Sequence, residues 1–573
     1  MKRKISIALL IVYAIVHLFS CKSRTSPDVS SIATDSATIS AGKVAFTQKC
    51  SGCHNFRQDG IGPNLSGITK EVSPGWLLQF INDPKKLIES GDERAKKLFE
   101  KFHTTMPSFA GTNNDEVNAI IAFLNTYQQR SAEKKFDSTA LANPITAAIP
   151  VSNLVVNLKF VTQIPASSDS GKKPLARITK MDYHDHTGPF ILDLRGKLYK
   201  LKNDQLSVYM DIKKLRPKFI NEPGLATGFG SFAFHPDFLK NGLLYTTHTE
   251  PAGTAKADFG FADSIKPALQ WVLTEWKTDQ PASDSFSGTG RELLRIDFVS
   301  GIHGVQEIIF NSLAKKGNAD YGLLYIGVGD GGAVENGYAS LAHNRARPWG
   351  TVLRIDPAGR NSHNGQYGIP AANPFVKNKT TNELQEIYAY GFRNPHRITW
   401  TKSGKMLVSN VGHSNIESIN LVEAGHDYGW PIREGTFLLN PDVDLTKVHA
   451  LPANDSAAHI TYPVAEYDHD EGKAISGGYE YSGNENAALK GKFLFGDIPS
   501  GRLFYVKTND LKQGTQAQIM EWKIVVDGTV KKLSELCGSD RVDLHFGRDD
   551  HGELYILTKA DGKIYKLVDA KEK

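Results

Sequence analysis

The chain has 573 residues, of which 40% are hydrophobic, so it can bury more than one hydrophobic core. We therefore expect at least two domains. Its 67 basic and 62 acidic residues leave a net charge of only +5, without a long basic run, which argues against nucleic acid as a partner.

A basic start followed by an apolar run makes residues 1–20 typical of a secretory signal peptide. The Leu-Phe-Ser-Cys sequence that ends at Cys21 is similar to the lipobox of bacterial lipoproteins, which implies cleavage before Cys21 and acylation of its thiol. An ordinary signal peptide, or an uncleaved anchor with an incidental cysteine, is the alternative. We expect an exported bacterial lipoprotein in the periplasm or outer membrane, attached through its lipid, with residues 21–40 as a flexible tether.

The next pattern is C-x-x-C-H at Cys50, Cys53 and His54, the sequence of covalent c-type haem attachment. Two thiols bind the porphyrin in such sites, and the adjacent imidazole ligates the iron. A thioredoxin-like redox pair is the competing interpretation, but it would need a strand before the pair and a helix after it. We predict one covalent haem c, and a short helix over 41–49 that delivers Cys50.

The layout around this motif resembles class I cytochrome c. The resemblance implies that the Pro63 carbonyl accepts the N–H of His54 and that Met106, in a Met-Pro turn, is the second axial ligand of the iron. His103 is the rival ligand. A closing helix is predicted over 115–127 because apolar residues recur at helical spacing. They are Val117, Ile120, Ile121 and Leu124.

A small all-α cytochrome c domain is thus expected over 41–130, followed by a linker over 131–150. From 151 to 570 helical patterns are scarce and short β-type runs recur. A glycine followed closely by a hydrophobic pair precedes six of these runs, which predicts an all-β domain, a six-bladed propeller with one repeat per blade. The six glycines are Gly196, Gly242, Gly322, Gly404, Gly491 and Gly552.

The second domain contains the segments SFAFHPDF at 231–238, GVGDGG at 327–332, GFRNP at 391–395 and YGWP at 428–431. Together they closely resemble the glucose/sorbosone dehydrogenase family over nearly all of 155–570. The resemblance implies a six-bladed propeller that binds pyrroloquinoline quinone (PQQ) and calcium and oxidises sugars.

By this resemblance His303 is the catalytic base, Asp330 orients it, and Arg393 lies over the quinone oxygen with Asn394 as a further PQQ contact. Such chemistry needs a base to take the alcohol proton and cations to stabilise negative charge on the quinone. Each residue has a simpler interpretation. Asp330 between glycines fits a turn, and a lone histidine such as His235 is more often structural.

The same resemblance implies a calcium site. Gly412 and His413 fall where the family binds calcium through two backbone carbonyls, which suits a hard ion that prefers oxygen ligands. His413 stands where proline is usual in the family.

Other positions depart from the family. Ala226 replaces a glutamine, Pro499 replaces a lysine, and Asp543 replaces the second of two arginines, so that Arg541 alone remains as a PQQ contact. These changes remove charge-assisted contacts worth about 1.5 to 3 kcal/mol each. Two nearby cations could substitute for them, namely Lys473 and Arg502.

The sequence therefore predicts a quinohaemoprotein dehydrogenase. A sugar (aldose) or related alcohol is oxidised with PQQ, and the electrons pass to the c-type haem and then to a respiratory acceptor. One alternative is a carbohydrate- or partner-binding propeller that has lost PQQ, fused to an electron-carrying cytochrome c. The other is a pure electron carrier whose propeller is a docking scaffold for a membrane oxidase.

Overall fold

A computed structural model of the chain describes residues 32–572, apart from 52, 58, 60–61, 103–104, 110–112, 129–138, 169–170, 185–187, 204, 223–225, 263 and 379–381. The predicted signal peptide, the predicted acylation site Cys21 and the rival iron ligand His103 lie outside the described residues. Within the described ranges, no helix combines the length and the apolar character that a membrane crossing requires.

The first domain is helical. Helix α1 begins at Ser36, five residues before the predicted start, because the Asp35 carboxylate accepts the N–H of Thr38 at 2.8 Å and caps the first turn. The flexible tether predicted over 21–40 is therefore wrong for its last five residues. The helices are α1 (Ser36–Lys49), α2 (Ile68–Glu71), α3 (Pro74–Asn82), α4 (Pro84–Glu89), α5 (Glu93–Phe102) and α6 (Asn114–Leu124).

The core of this domain lies where α1 crosses α6. A Cβ atom on Gly42 would fall 1.8 Å from the Ala119 carbonyl oxygen, so only glycine permits this close approach of the two helices. The predicted apolar stripe of α6 is confirmed, since its members are at most 3% exposed. Helix α6 ends three residues before the predicted position 127.

The second domain is built from strands. The first half contains β1 (Val151–Gln163), β2 (Ile178–Tyr183), β3 (Pro189–Asp193), β4 (Lys197–Lys202), β5 (Gln205–Asp211), β6 (Phe229–Phe234), β7 (Leu243–Pro251), β8 (Leu269–Lys277), β9 (Thr289–Phe298), β10 (Glu307–Phe310), β11 (Leu324–Val328), β12 (Thr351–Ile355), β13 (Ile387–Tyr390) and β14 (Pro395–Trp400). The second half contains β15 (Met406–Asn410), β16 (Ile416–Leu421), β17 (Arg433–Glu434), β18 (Phe437–Asn440), β19 (Asp444–His449), β20 (Ala465–Asp468), β21 (Tyr479–Glu480), β22 (Lys492–Gly496), β23 (Leu503–Lys507), β24 (Met520–Val526), β25 (Thr529–Lys531), β26 (Leu544–Arg548), β27 (Leu554–Thr558) and β28 (Lys563–Glu572). The short helices between them are α7 (Ile212–Leu215), α8 (Phe238–Asn241), α9 (Ala339–Ala342) and α10 (Leu533–Cys537).

Most of these strands form antiparallel groups of four, with the orders β2-β3-β4-β5, β6-β7-β8-β9, β10-β11-β12-β13, β14-β15-β16-β20, β21-β22-β23-β24 and β26-β27-β28-β1. Parallel contacts of β1 with β24 and of β2 with β26 join three groups into a 13-stranded sheet. Strand β1 pairs with β28, so the domain begins and ends in one group. Buried apolar side chains fill the layers between groups, as where Trp271 of β8 and Ile326 of β11 share a cluster.

The six repeated glycines confirm their predicted link to strands. Each has a positive φ, from +64° to +114°, and each stands one or two residues before a strand. Glycine adopts this left-handed backbone without steric cost, which allows a tight turn into the strand. Five of the glycines precede the second strand of their group, whereas Gly196 precedes β4, the third strand of the first group.

A buried polar network joins the first strands of four successive groups. Lys180 of β2 donates to the Glu307 carboxylate of β10 and to the Ser231 hydroxyl of β6, the latter at 3.2 Å. Arg397 of β14 lies 3.5 Å from the other Glu307 oxygen and donates to the Thr179 carbonyl of β2. All these side chains are buried. The network therefore fixes the spacing of the strands at the centre of the domain.

The described part of the linker is bound to the β domain. Ala140 forms a β-bridge with His449, and the Ile149 N–H donates to the Glu471 carboxylate at 3.1 Å. Residues 139–150 are thus anchored rather than free.

We expect Glu307→Leu to lower the free energy of unfolding by about 3–5 kcal/mol, because it leaves Lys180 and Arg397 as buried cations without their anion. Urea denaturation followed by tryptophan fluorescence measures this loss. The double variant Lys180→Met with Glu307→Leu should recover part of it. The exposed Lys202–Asp284 pair is the control, and Lys202→Met should cost less than about 0.5 kcal/mol. A loss below 1 kcal/mol in Glu307→Leu would contradict this role.

Candidate functional site

The C-x-x-C-H segment follows directly after α1. Cys50 caps the helix, and the His54 N–H donates to the Cys50 carbonyl at 3.0 Å. The Nδ1 atom of His54 lies 2.9 Å from the Pro63 carbonyl oxygen, so the predicted hydrogen bond is present. Because Nδ1 donates to this carbonyl, Nε2 carries the free lone pair that binds a metal.

The surroundings of the motif fit a covalently bound haem. A Cβ atom on Gly62 would lie 2.4 Å from Cε1 of His54, so this loop packs flat against the imidazole. Burial lowers the pKa of His54, which keeps the ring neutral, the form that ligates iron. Burial also raises the pKa of Cys50 to about 12. Met106 is half-buried in the segment after α5, and its role as iron ligand stays a prediction.

In the β domain, His303 and Asp330 lie on neighbouring loops and contact each other. His303 precedes β10 and has a left-handed backbone, with φ of +49°. Its Nδ1 lies 3.1 Å from Oδ1 of Asp330, two residues after β11. The other carboxylate oxygen accepts the indole N–H of Trp430 at 3.1 Å. Trp430 therefore holds the Asp330 carboxylate in place, and the carboxylate in turn fixes the orientation of the His303 imidazole.

The glycines after Asp330 shape this loop. Gly331 and Gly332 both have positive φ values, +66° and +71°, and the Gly332 N–H donates to Asp330 Oδ1 at 2.9 Å. Asp330 thus has the turn role that its glycine neighbours indicate and also contacts His303. His235 accepts the N–H of Asp237 at 2.9 Å, a local contact that matches its predicted structural role.

Arg393 lies at the centre of the site. Its buried guanidinium stands 5.7 Å from the ring centre of Trp430, donates through Nη1 to the Gly412 carbonyl, and donates through Nη2 to the Glu335 carboxylate. Glu335 also lies 3.4 Å from Nε2 of His413. Sequence reasoning missed Glu335, although an acidic residue just beyond the GVGDGG segment was a usable signal.

The charges in the site set its protonation states. Burial, followed by the charge of Arg393, lowers the pKa of His303, although Asp330 and Glu335 oppose this shift. Burial raises the pKa of Asp330, but the hydrogen bond with His303 and the charge of Arg393 oppose it, so the pKa is lowered and the carboxylate stays ionised. Burial is likewise outweighed at Glu335, whose pKa is lowered by Arg393 and His413. The site therefore combines a neutral imidazole with two carboxylates at neutral pH.

The predicted calcium site is not formed in this side-chain arrangement. The Gly412 carbonyl accepts from the Arg393 guanidinium, so a cationic side chain already stands against this oxygen. The His413 N–H donates to Glu434 at 2.6 Å. In the described ranges, no three or more His, Cys, Asp or Glu side chains are grouped to hold a metal ion. A calcium ion at Gly412 would require Arg393 to leave the carbonyl.

The family departures have structural counterparts. Ala226 is buried, and the Pro499 carbonyl accepts the N–H of Val542 at 2.8 Å. Asp543 forms an ion pair with Arg541 at 2.9 Å, and this charge raises the pKa of Arg541. The charge of Arg541, the one arginine kept from the family's pair, is therefore partly neutralised by Asp543, which stands at the position of the second arginine.

The two predicted substitutes are engaged elsewhere. Arg502 binds Glu471 at 2.5 Å and Glu521 at 2.7 Å, so two carboxylates already occupy its guanidinium, and its role as a replacement stays a prediction. Lys473 donates to the His469 carbonyl. The structure instead places the half-buried Lys559 near other charged residues, and desolvation lowers its pKa to about 7. Its charged neighbours are Asp543, Arg177, Arg541 and Arg397.

One buried donor of the site, Nε of Arg393, has no hydrogen-bond partner among the described residues. Nε2 of His413 makes no hydrogen bond there either, but the Glu335 carboxylate lies 3.4 Å from it. Asn394 is buried beside Arg393, and its N–H donates to the Asn410 side chain at 2.9 Å. A buried guanidinium N–H without an acceptor fits an anionic ligand rich in carbonyl and carboxylate oxygens, which is the chemistry of PQQ.

The fold and the site define a two-domain protein in which a cytochrome c domain precedes a large, mostly β domain with a buried histidine, aspartate and arginine site. The cytochrome c profile matches residues 39–128, and the glucose/sorbosone dehydrogenase profile matches residues 181–566. The chain belongs to the glucose/sorbosone dehydrogenase family.

Individual relatives are distant. The HIPL1 protein of Arabidopsis thaliana is 25% identical over 388 residues, which cover 60% of this chain and 53% of that protein. Quinoprotein glucose dehydrogenase B of Acinetobacter calcoaceticus is 25% identical over 224 residues, 38% of this chain and 42% of that one. The soluble aldose sugar dehydrogenase of Escherichia coli, solved in its apo form, is 18% identical with a TM-score of 0.49, and the match covers 73% of this chain and 100% of that structure. The chain spans about half the length of the first curated relatives it matches.

We expect Asp330→Asn to lower kcat of a reaction in which His303 is the base by about 10²- to 10⁴-fold, because the imidazole loses its orientation and the anion that stabilises its charged form. The pKa of His303 should fall further, which moves the acid limb of the kcat/KM–pH profile to lower pH. The profile is measured with an artificial electron acceptor. Asp549→Asn, at a buried aspartate that binds Tyr555, is the control and should leave the acid limb in place. An unshifted limb in Asp330→Asn would contradict the assignment.

Proposed function

We propose that the protein is a cytochrome-linked aldose dehydrogenase that uses PQQ. The observation that carries this proposal is the buried pair of His303 and Asp330 beside Arg393, in a chain that also contains the c-type haem motif. Family membership and the similarity to sugar dehydrogenases support an aldose or related alcohol as substrate. Each side chain of the site has a distinct task in such a reaction.

PQQ, when bound, supplies the two-electron oxidant that takes hydride from the substrate carbon. Nε2 of the neutral His303 accepts the proton of the substrate hydroxyl, and Asp330 stabilises the imidazolium that forms. Arg393, with Asn394 beside it, offers donors to oxygen atoms on which negative charge develops. Arg541 and Lys559 would bind the carboxylates of the cofactor. Calcium at Gly412 and His413 stays part of the proposal, and it requires Arg393 to leave the Gly412 carbonyl.

We also propose that the six groups of strands are the blades of a closed propeller. Their number supports this, as does the pairing of β1 with β28, which would close the ring. The buried contacts of Lys180, Glu307 and Arg397 are those expected where the innermost strands of neighbouring blades meet. In a propeller the loops at one end form a common site, which agrees with the approach of four separate loops around Arg393.

The haem would receive the electrons one at a time, with His54 and Met106 as axial ligands and Cys50 and Cys53 as attachment points. A respiratory protein is the proposed final acceptor. One observation favours the partner-binding alternative, namely the ion pair between Arg541 and Asp543, which weakens a contact to an anionic cofactor.

We further propose that the protein is exported as a lipoprotein of the periplasm or outer membrane. A lipid on the Cys21 thiol would attach it to the membrane. Cys21→Ser removes the thiol that is acylated, so we expect the variant to leave the membrane fraction. Detergent phase partitioning of fractionated cells measures this change. Cys537→Ser, at the buried cysteine of α10, is the control and should remain with the membrane. If Cys21→Ser stays in the membrane fraction, an uncleaved anchor is the better explanation.

The proposed activity is tested by the visible spectrum of the haem-loaded chain. We expect the reduced-haem band to grow on addition of an aldose only when PQQ and calcium are present, and a chelator tests the calcium requirement. His303→Asn should abolish the reduction, whereas His235→Gln, at a histidine in a local turn contact, should keep it. A haem that binds normally but is never reduced by any aldose or alcohol would favour the binding or scaffold alternatives.

A further inference from the structure

The haem-attachment segment and helix α4 of the first domain each contact a loop of the second domain. One of these loops follows Asp330 and contains Glu335 and Gly337, and the other contains Asp540 and Arg541. We propose that this contact is a docking interface through which electrons would pass directly from the candidate active site to a haem held by Cys50 and Cys53. This inference rests on the proposed function and adds the place and the residues of the transfer.

The tightest contact joins Arg57 and Gly337. A Cβ atom built on Gly337 would fall 1.4 Å from Nη1 of Arg57 and 2.2 Å from its Cζ, so the guanidinium packs directly on the glycine backbone. Gly337 also has a φ of +86°, which a residue with a side chain rarely adopts. A glycine is therefore required here by its own backbone, and any side chain at this position would displace the Arg57 guanidinium from the loop.

An ion pair marks a second point of the interface. Nζ of Lys85 lies 3.3 Å from Oδ2 of Asp540, the residue before Arg541. Both side chains are largely exposed, so the pair contributes little affinity. Opposite charges at the rim of an interface guide the approach and the orientation of the partners, which is the role we assign to this pair.

The interface loop also reaches the candidate active site. Glu335 lies two residues before Gly337 and is the carboxylate that binds Arg393. A short series of contacting or neighbouring residues therefore leads from Arg57, three residues after His54, to the centre of the candidate active site.

The stoichiometry of the reaction suits a permanent docking site. Oxidation of one hydroxyl to a carbonyl releases two electrons and two protons, and the haem iron accepts one electron at a time. Two successive transfers are therefore needed in each turnover, with the iron reoxidised in between by an external acceptor, such as ferricyanide in an assay. Because the domains share one chain, the effective concentration of the haem at this surface is in the millimolar range, about that of a short flexible tether.

The interface is tested in the full chain loaded with haem and PQQ. Stopped-flow absorbance measures haem reduction by the substrate, and a phenazine-linked dye measures substrate oxidation independently of the haem. We expect Lys85→Glu to slow haem reduction by about two- to fivefold without changing dye reduction, and Lys85→Glu with Asp540→Lys to restore it. Gly337→Ala should slow haem reduction more. Lys202→Glu, in an exposed pair of similar length with Asp284, is the control and should have no effect.

Hydrogen exchange gives a readout that does not depend on activity. We expect Gly337→Ala to increase exchange at the amides of 53–57 and 332–338 relative to the unchanged chain. If the protein without any substitution reduces neither the dye nor the haem, the proposed function fails. The difference in hydrogen exchange between that protein and Gly337→Ala then decides whether the domains dock. Equal exchange in both proteins, or normal haem reduction in Gly337→Ala, would overturn the interface.

Discussion

The buried contact between Lys180 and Glu307 is the interaction on which the rest of the β domain depends. It joins β2 to β10, and through Ser231 and Arg397 it also reaches β6 and β14. A buried carboxylate between two cations is stable only when its geometry is satisfied, so the strands must meet at one spacing and register. Their loops then emerge at defined positions, which a site composed of loop residues requires.

The loops of the candidate site start from these fixed strands and adopt uncommon backbone conformations. His303 is a non-glycine residue with a left-handed backbone, and such a conformation costs energy that the surrounding packing must supply. Trp430, Asp330 and His303 form a chain of hydrogen bonds in which each member orients the next. Catalytic groups fixed in this way need no reorganisation when charge develops during the reaction.

The two domains place complementary chemistry at their contact. The first domain presents a short haem motif whose histidine is oriented by one carbonyl, and the second presents the loop that contains Glu335 and Gly337. The same loop begins with Asp330 in the candidate site. One loop thus serves both the proposed oxidation site and the proposed interface, so its backbone is constrained from two sides. This accounts for the run of glycines with positive φ at 331, 332 and 337.

The sequence by itself determined the features that depend on neighbours along the chain. The haem motif, the apolar stripe of α6 and the glycines before strands could be predicted because a turn or a helix face is decided within a few residues. The family resemblance added the pairing of His303 with Asp330. Only the tertiary structure decided which distant charges meet. It placed Glu335 against Arg393, engaged Arg502 with Glu471, and brought Lys559 near other charged residues. Such contacts follow from the packing of whole strand groups, and no local pattern encodes them.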